Sequence, residues 1–428
     1  MQDISASVPS EWRRYWPLVL ASALGFSLHT VSAYSIGLFM EPLGDEFGWT
    51  RAQISLVSVI PSIVMVLFSP STGAFIDRWG SRRLAIPSIL LTAASLAAIS
   101  LANGSVVQWM GLWLFYGIVS LGVKATVWTT VVSGAFTRAR GLALGVVLCG
   151  TAISQILAPP LSQHLIDSLG WRSAYVILGL VWGAPCLLLA VLFLHDVRRP
   201  QAKGERAAEE PGLPGLTFSE ALRNVPLLRI AASTLITMFV GTATLIHQVP
   251  ILTSAGVPRA DAAWLASLAG VAGVIGKLLT GWMTDRWNAS WIASISLTVP
   301  AIAYALLMAP GSQLLIVVAM MIIGYTAGTK LQLCAYLTSR YAGMAHYGKI
   351  FGVMTSIVGI GGGFGSVAAG AIFDKFGGYG PLLVGGVISS FVCGALLFRL
   401  GPYPTWPNEA ASTSTGPAPL EAKPIGVS

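Results

Sequence analysis

The sequence predicts an all-α membrane protein, with twelve transmembrane helices arranged as two pseudo-symmetric six-helix bundles. Three observations carry this expectation. Hydrophobic residues make up 54% of the 428 residues and charged residues only 10%, where soluble domains carry about 25% charged residues. The charges fall in short clusters between apolar runs long enough, at ~20 residues, to cross a bilayer. Motifs from the first half of the chain also recur in the second at a nearly constant offset. This balance excludes an ordinary soluble enzyme, a disordered chain and a fibre. The four cysteines form no CxxC pair and no disulfide framework. The net charge of +8 is not gathered into one basic stripe, so no nucleic acid is expected as a partner.

The spans follow in order, each bounded by polar or charged residues. Span 1 (15–40) begins after Arg13 and Arg14 and carries His29 and Tyr34. Span 2 (52–76) follows Arg51 and ends at Asp77 and Arg78. Span 3 (84–103) opens after Arg82 and Arg83. Span 4 (108–135) contains Trp113, Tyr116, Lys124 and Trp128. Span 5 (141–166) starts at Arg140-Gly141 and includes Pro159 and Pro160. Span 6 (173–194) follows Gly170-Trp171-Arg172. The polar stretch 195–226, with Arg198, Arg199, Glu209 and Glu210, reads as a cytoplasmic linker. Span 7 (227–254) carries His247 and Pro250, and span 8 (261–284) carries Lys277. Span 9 (291–309) follows Asp285 and Arg286. Span 10 (313–339) holds Tyr325 and Lys330. Span 11 (348–372) contains the glycine-rich stretch 359–365, and span 12 (381–400) closes the second bundle. Four regions result: an N-terminal bundle (1–194), the linker (195–226), a C-terminal bundle (227–401) and a disordered cytoplasmic tail (402–428) rich in Pro, Ser and Thr. The first apolar run is too long for a signal-peptide core and has no clear small-residue cleavage site.

Lysine and arginine set the orientation. With both termini cytoplasmic, 18 of the 25 basic residues fall inside, four (Arg51, Arg172, Arg259 and Lys375) fall outside, and three lie within spans. Basic residues collect on the cytoplasmic side of membrane proteins, so a multi-pass protein of the cell's inner (cytoplasmic) membrane is expected.

The repeat is specific. Arg51 and Asp77 recur as Arg259 and Asp285, both 208 residues on, and each aspartate sits in Gly-x-x-x-Asp-Arg-Trp. Asp167-Ser-Leu-Gly170 recurs as Asp374-Lys-Phe-Gly377 at 207. Two parallel six-span halves make rocking of one half on the other the expected mechanism of transport.

The run Gly73-Ala-Phe-Ile-Asp77-Arg78-Trp-Gly80-Ser-Arg82-Arg83 resembles the loop 2–3 motif of the major facilitator superfamily. Tyr34-Ser-Ile-Gly-Leu-Phe-Met-Glu-Pro42, Phe47-Gly-Trp49-Thr-Arg51, Arg140-Gly141, His247-Gln-Val-Pro250 and Tyr347-Gly348 are similar to its monocarboxylate porters and oxalate:formate antiporter group. The resemblance implies the major facilitator fold. It also implies a conformational latch made by Gly73, Asp77, Arg78, Arg82 and Arg83 with Asp285 and Arg286, away from the substrate. Lys277 stands where those relatives place a carboxylate-binding arginine. Gly273, one turn earlier, replaces the acid of some proton-coupled relatives. Met354 stands where the oxalate antiporter has its second basic residue, which argues against oxalate.

Independently of that resemblance, Lys124, Lys277 and Lys330 lie deep within spans, while all 17 Asp and Glu lie in loops, tails or span ends. A lysine at mid-depth costs roughly 2.5–3.5 kcal/mol unless it faces water or a partner. An incoming anion is the natural missing partner. Lys124 and Lys330 are 206 residues apart, close to the repeat offset, so they are expected to face one cavity from opposite halves. His29, His247, Tyr34, Trp128 and Tyr325 are the further candidate substrate contacts; His29 is also a candidate proton carrier and His247 a candidate gate, and packing or a lipid-facing place is the competing role. Span 5's proline pair and span 11's glycine run are expected to break or loosen their helices. No catalytic motif, metal cluster or nucleotide-binding domain appears in the sequence.

The expected function is secondary active transport by alternating access, not enzymatic chemistry. The substrate is a small organic anion, a monocarboxylate or an aromatic or cyclic acid, driven by proton symport or anion exchange and needing no cofactor. A carrier or exporter of a neutral or zwitterionic metabolite is the alternative, and a transporter-like membrane sensor the rival from another class.

Overall fold

The computed structural model describes residues 8–136, 139–195, 215–284, 286–308, 312–343 and 345–404. Among these the chain is helical, with no strand beyond a single bridge between Gly215 and Gly343. Most of the linker and the tail beyond 404 lie outside the described residues.

Span 1 is one long helix, Val8–Phe47. Gly48 then takes a positive φ, and Thr50 caps Arg51–Ser55 with a reciprocal bond to Gln53. After a single tight turn, span 2 continues as Val59–Trp79. Gly80, at φ 89, turns the chain into span 3, Ser81–Ala98. Span 4 is discontinuous: Val106–Val119, a tight turn Ser120–Val123, an extended Lys124, then Ala125–Ala135. Span 5 comprises Arg140–Leu148 and the first part of Gly150–Phe193. That second helix reads as one body but is kinked at Gly170, whose φ of 79 no ordinary residue adopts readily; span 6 follows it. Among the described residues eleven helices pass for membrane spans by length and composition, and the kinked one (Leu142–Phe193) holds two of the twelve expected crossings.

In the second half, span 7 is Val225–Ile246 and Gln248–Ser254, interrupted at His247. Pro250 explains the interruption, because its ring clashes with the carbonyl four residues back. Span 8 is Arg259–Thr284; span 9 is Ala289–Thr298 with Pro300–Met308; span 10 is Gln313–Ala342; span 11 is Tyr347–Phe376; span 12 is Gly380–Leu397. The repeat survives in backbone geometry. Gly48 and Gly256 both have positive φ, as do Gly170 and Gly377, matching the 208 and 207 offsets in the sequence.

Two expectations about helix breaks are corrected. Span 5 runs through Pro159 and Pro160, and span 11 runs through its glycines, without interruption. Those glycines serve close packing instead. A methyl on Gly361 or Gly365 would strike span 7 at the carbonyls of Leu235 and Phe239, and one on Gly363 would press Ser62 of span 2. Small residues let membrane helices approach this closely.

The N-terminal half has one continuous core around Trp109, Tyr116 and Trp128, while the C-terminal half has two cores. The exceptions to this division are informative. Ile246 of span 7 joins the N-terminal core, and Leu38 of span 1 joins a C-terminal one. Both lie toward the end of the bundle that carries the loop between spans 1 and 2.

Candidate functional site

The halves meet along two seams. At the loop 1–2 end, the Asp374 carboxylate accepts from the backbone N–H groups of Arg51 (3.0 Å) and Ala52 (2.9 Å). The Arg51 guanidinium lies 3.5 Å from the Phe373 ring centroid and donates to Tyr379 Oη at 2.6 Å. Arg259 crosses the other way, donating to the Leu38 carbonyl (2.7 Å) and pairing with Glu41 (3.0 Å). The second seam joins spans 5 and 8. Ser267 Oγ donates to the Ile156 carbonyl at 2.6 Å, and Lys277 Nζ donates to Thr151 Oγ1 at 3.3 Å. Among the described residues, the hydrogen bonds between halves lie at the loop 1–2 end or at mid-depth, with Lys277 nearest the linker end.

His247 belongs to the first seam. Fully buried, its Nε2 lies 2.9 Å from the Ser366 carbonyl and 3.0 Å from Ser55 Oγ, and its Nδ1 lies 2.7 Å from Tyr379 Oη. A carbonyl only accepts, so Nε2 carries the hydrogen and Nδ1 accepts from Tyr379. The Tyr379 oxygen in turn accepts from Arg51. His247 thus bonds Tyr379 and Ser366 within its own half and Ser55 across to the other, which leaves both ring nitrogens engaged inside the closed seam.

Lys124 is 8% exposed and sits where span 4 breaks. It precedes the helix Ala125–Ala135, whose first N–H groups have no carbonyl within the helix to bond. Its charge reaches His29 in span 1, whose Nδ1 is buried without a partner among the described residues. Trp128 is placed differently from expectation. Its indole N–H donates to the Val123 carbonyl at 2.9 Å, satisfying a group freed by the break, and its ring lies flush on Gly25. It packs inside the half and is not a cavity wall.

Lys330 is also corrected. It lines two small cavities of about 40 and 10 Å³ between spans 7, 9, 10 and 12, with its ammonium against Gly241. It points into its own half and does not oppose Lys124. Tyr325 likewise turns inward, its hydroxyl bonded to Ser296 (2.8 Å) and Thr280 (3.2 Å). None of the three span lysines forms an ion pair with a described carboxylate.

Tyr34 lies between the halves. It lines a small cavity of about 10 Å³ with Gly37, Gln155, Pro159, Gln248 and Val249, among others. Gln155 and Gln248 went unremarked in the sequence, although a glutamine within an apolar span is itself a signal. Arg51 and Arg259 were read there as loop charges marking the repeat, and their crossing of the seam was not foreseen.

In the expected latch, Asp285, the side chain of Asp77 and the surroundings of Gly73 lie outside the described residues. Arg82 donates to the carbonyls of Leu194 and Val191 at the end of span 6. Arg83 is exposed, Arg78 lies over Trp79, and Arg286 lies over Trp282.

A family model described as Major Facilitator Superfamily matches residues 22–257 and 241–425. The chain belongs to the Major Facilitator Superfamily. Its relatives include Monocarboxylate transporter 13 of Bos taurus, 26% identical over 85% of this chain and 84% of that protein. A Bacillus subtilis (strain 168) protein named as the uncharacterized MFS-type transporter YcxA is 27% identical over 86% of this chain and 90% of its own. Among solved structures, a D-xylose-proton symporter superposes with a TM-score of 0.71 at 14% identity, covering 91% of this chain and 98% of that one. This superfamily member is therefore a multi-pass membrane transporter with the major facilitator fold, built as two halves, and its family is one of carriers and not of enzymes.

Proposed function

We propose that this transporter is a secondary carrier of a small organic anion, a monocarboxylate or an aromatic or cyclic acid, across the inner membrane. The observation that carries the reading is the Lys277–Thr151 contact. It places an ammonium without a described carboxylate on the seam between the halves. A substrate carboxylate at that point takes the place of the missing acid and touches both halves at once. Lys124 and the N-terminus of the helix that follows the break in span 4 supply a second electropositive region beside His29, as half-helix N-termini do for anions in other carriers. The linker end is cytoplasmic by its basic residues, so the closed loop 1–2 end makes this an inward-facing state. Asp77, Arg78, Arg82, Arg83, Asp285 and Arg286 act as the latch of the opposite state. A proton or a counter-anion supplies the drive.

The test is counterflow in liposomes containing purified protein, with a panel of labelled acids, neutral metabolites and amino acids. Uptake of at least one acid, faster with a proton gradient or internal acid, is expected. Uptake of neutral or zwitterionic compounds alone would overturn the reading.

A further inference from the structure

The cavity beside Tyr34 is lined by a glutamine from each half, and the two amide donors have no acceptor among the described residues. Gln155 of span 5 and Gln248 of span 7 are 7% and 5% exposed. Both side-chain amides line this one space, and the Nε2 of each is buried without an acceptor among the described residues. A buried donor left unpaired is costly, and here there are two beside one cavity, one from each half. Its volume, about 10 Å³, is close to the least that holds one water-sized group, roughly 10–15 Å³.

Gln155 follows Thr151 by four residues on one helix, so it stands on the same face, about 6 Å farther from the linker end. Gly273, one turn along span 8 from Lys277, faces it: the Gln155 Oε1 lies 3.7 Å from where a methyl there would be. A carboxylate at Lys277 would thus point the rest of its molecule toward the two amides.

We propose that Gln155 and Gln248 form a specificity subsite that accepts one oxygen of the substrate, remote from its carboxylate. The inference rests on the carboxylate reading of Lys277 and narrows it. The preferred acid carries a carbonyl or hydroxyl oxygen some four or five bonds from the carboxyl carbon, as in 4-oxopentanoate or 4-hydroxybenzoate. Acids lacking that oxygen leave both amides unpaired. Because one donor belongs to each half, the shared oxygen also draws the closed seam together.

Calorimetric titration of the purified full-length protein with two pairs of acids tests this: pentanoate against 4-oxopentanoate, and benzoate against 4-hydroxybenzoate. The expected result is a Kd at least tenfold lower for the oxygenated member of one pair. Gln155→Leu and Gln248→Leu should reduce that ratio to near one while leaving the plain acid bound about as before. Gln248→Met, which removes the donor and keeps the length without adding a charge, should do the same and guards against a folding defect of the leucine variants. Equal Kd values within both pairs, or an equal loss for both members in the variants, would overturn the subsite and leave the amides holding a structural water. Binding of none of the four acids by a protein that transports only neutral compounds would overturn the carboxylate reading as well.

Discussion

Arg51 and Arg259 occupy the same place in the two repeats, and each reaches out of its own half into the other. Their partners differ. Arg51 meets an aromatic face and a buried tyrosine, and its backbone is held by Asp374, whereas Arg259 pairs with the half-exposed Glu41. The closed seam is therefore stronger on the Arg51 side.

That difference predicts unequal mutants. Asp374→Ala removes the acceptor of two charge-assisted bonds and should favour the open loop 1–2 end by about 2–3 kcal/mol. Glu41→Gln removes an exposed ion pair and should change the balance by no more than about 1 kcal/mol. Distance distributions between spin labels on the loops after spans 1 and 7 report the two populations. Equal shifts in the two variants would contradict the ranking.

Lys277→Met should abolish acid transport with little loss of folded protein. Lys277→Arg should keep part of it, since the charge remains while the point-like ammonium becomes a planar fork. Initial rates of counterflow at matched protein content decide the matter, and wild-type rates for Lys277→Met would refute the assignment.

Trp128→Phe should destabilise without altering selectivity. Phenylalanine lacks the outer indole atoms that lie against Gly25, and the Val123 carbonyl loses its donor inside the half, the latter at a cost of about 1–3 kcal/mol. A lower Tm with an unchanged order of substrate preference is expected. A changed preference would return Trp128 to the substrate site.

Spans 8 and 10 touch backbone to backbone. A methyl on Gly324 would strike the Ala269 carbonyl, and one on Gly328 the Gly273 carbonyl. Gly324→Ala and Gly328→Ala should each cost about 1–3 kcal/mol through overpacking, read as a fall in Tm. Gly378→Ala, which has open space around it, is the control and should leave Tm in place.

The twelve crossings and the two halves were legible in the sequence because hydropathy and charge clusters report them directly. The direction of a buried side chain is not reported in that way. Lys124 and Lys330 miss the repeat offset of 208 by two residues. Lys124 also sits in the extended break of span 4 while Lys330 lies on a continuous helix, so equivalence in sequence did not give the two side chains equivalent directions. The break at Lys124 carries no proline to announce it. The glycines of span 11, read as weakness, are points of contact, because a missing side chain serves close approach as readily as bending. Gln155 and Gln248 were overlooked because uncharged amides leave no trace in a charge map.

The break in span 4 has a consequence for how the protein behaves in alkaline surroundings. An ammonium or an imidazolium can surrender its proton, but the peptide N–H groups opening Ala125–Ala135 cannot. They present the equivalent of roughly half a positive charge, fixed by the fold and indifferent to pH. Whatever the state of Lys124 and His29, this point in the N-terminal half stays attractive to an anion. Under the proposed function, titration of those two side chains tunes the grip on a substrate without switching it off.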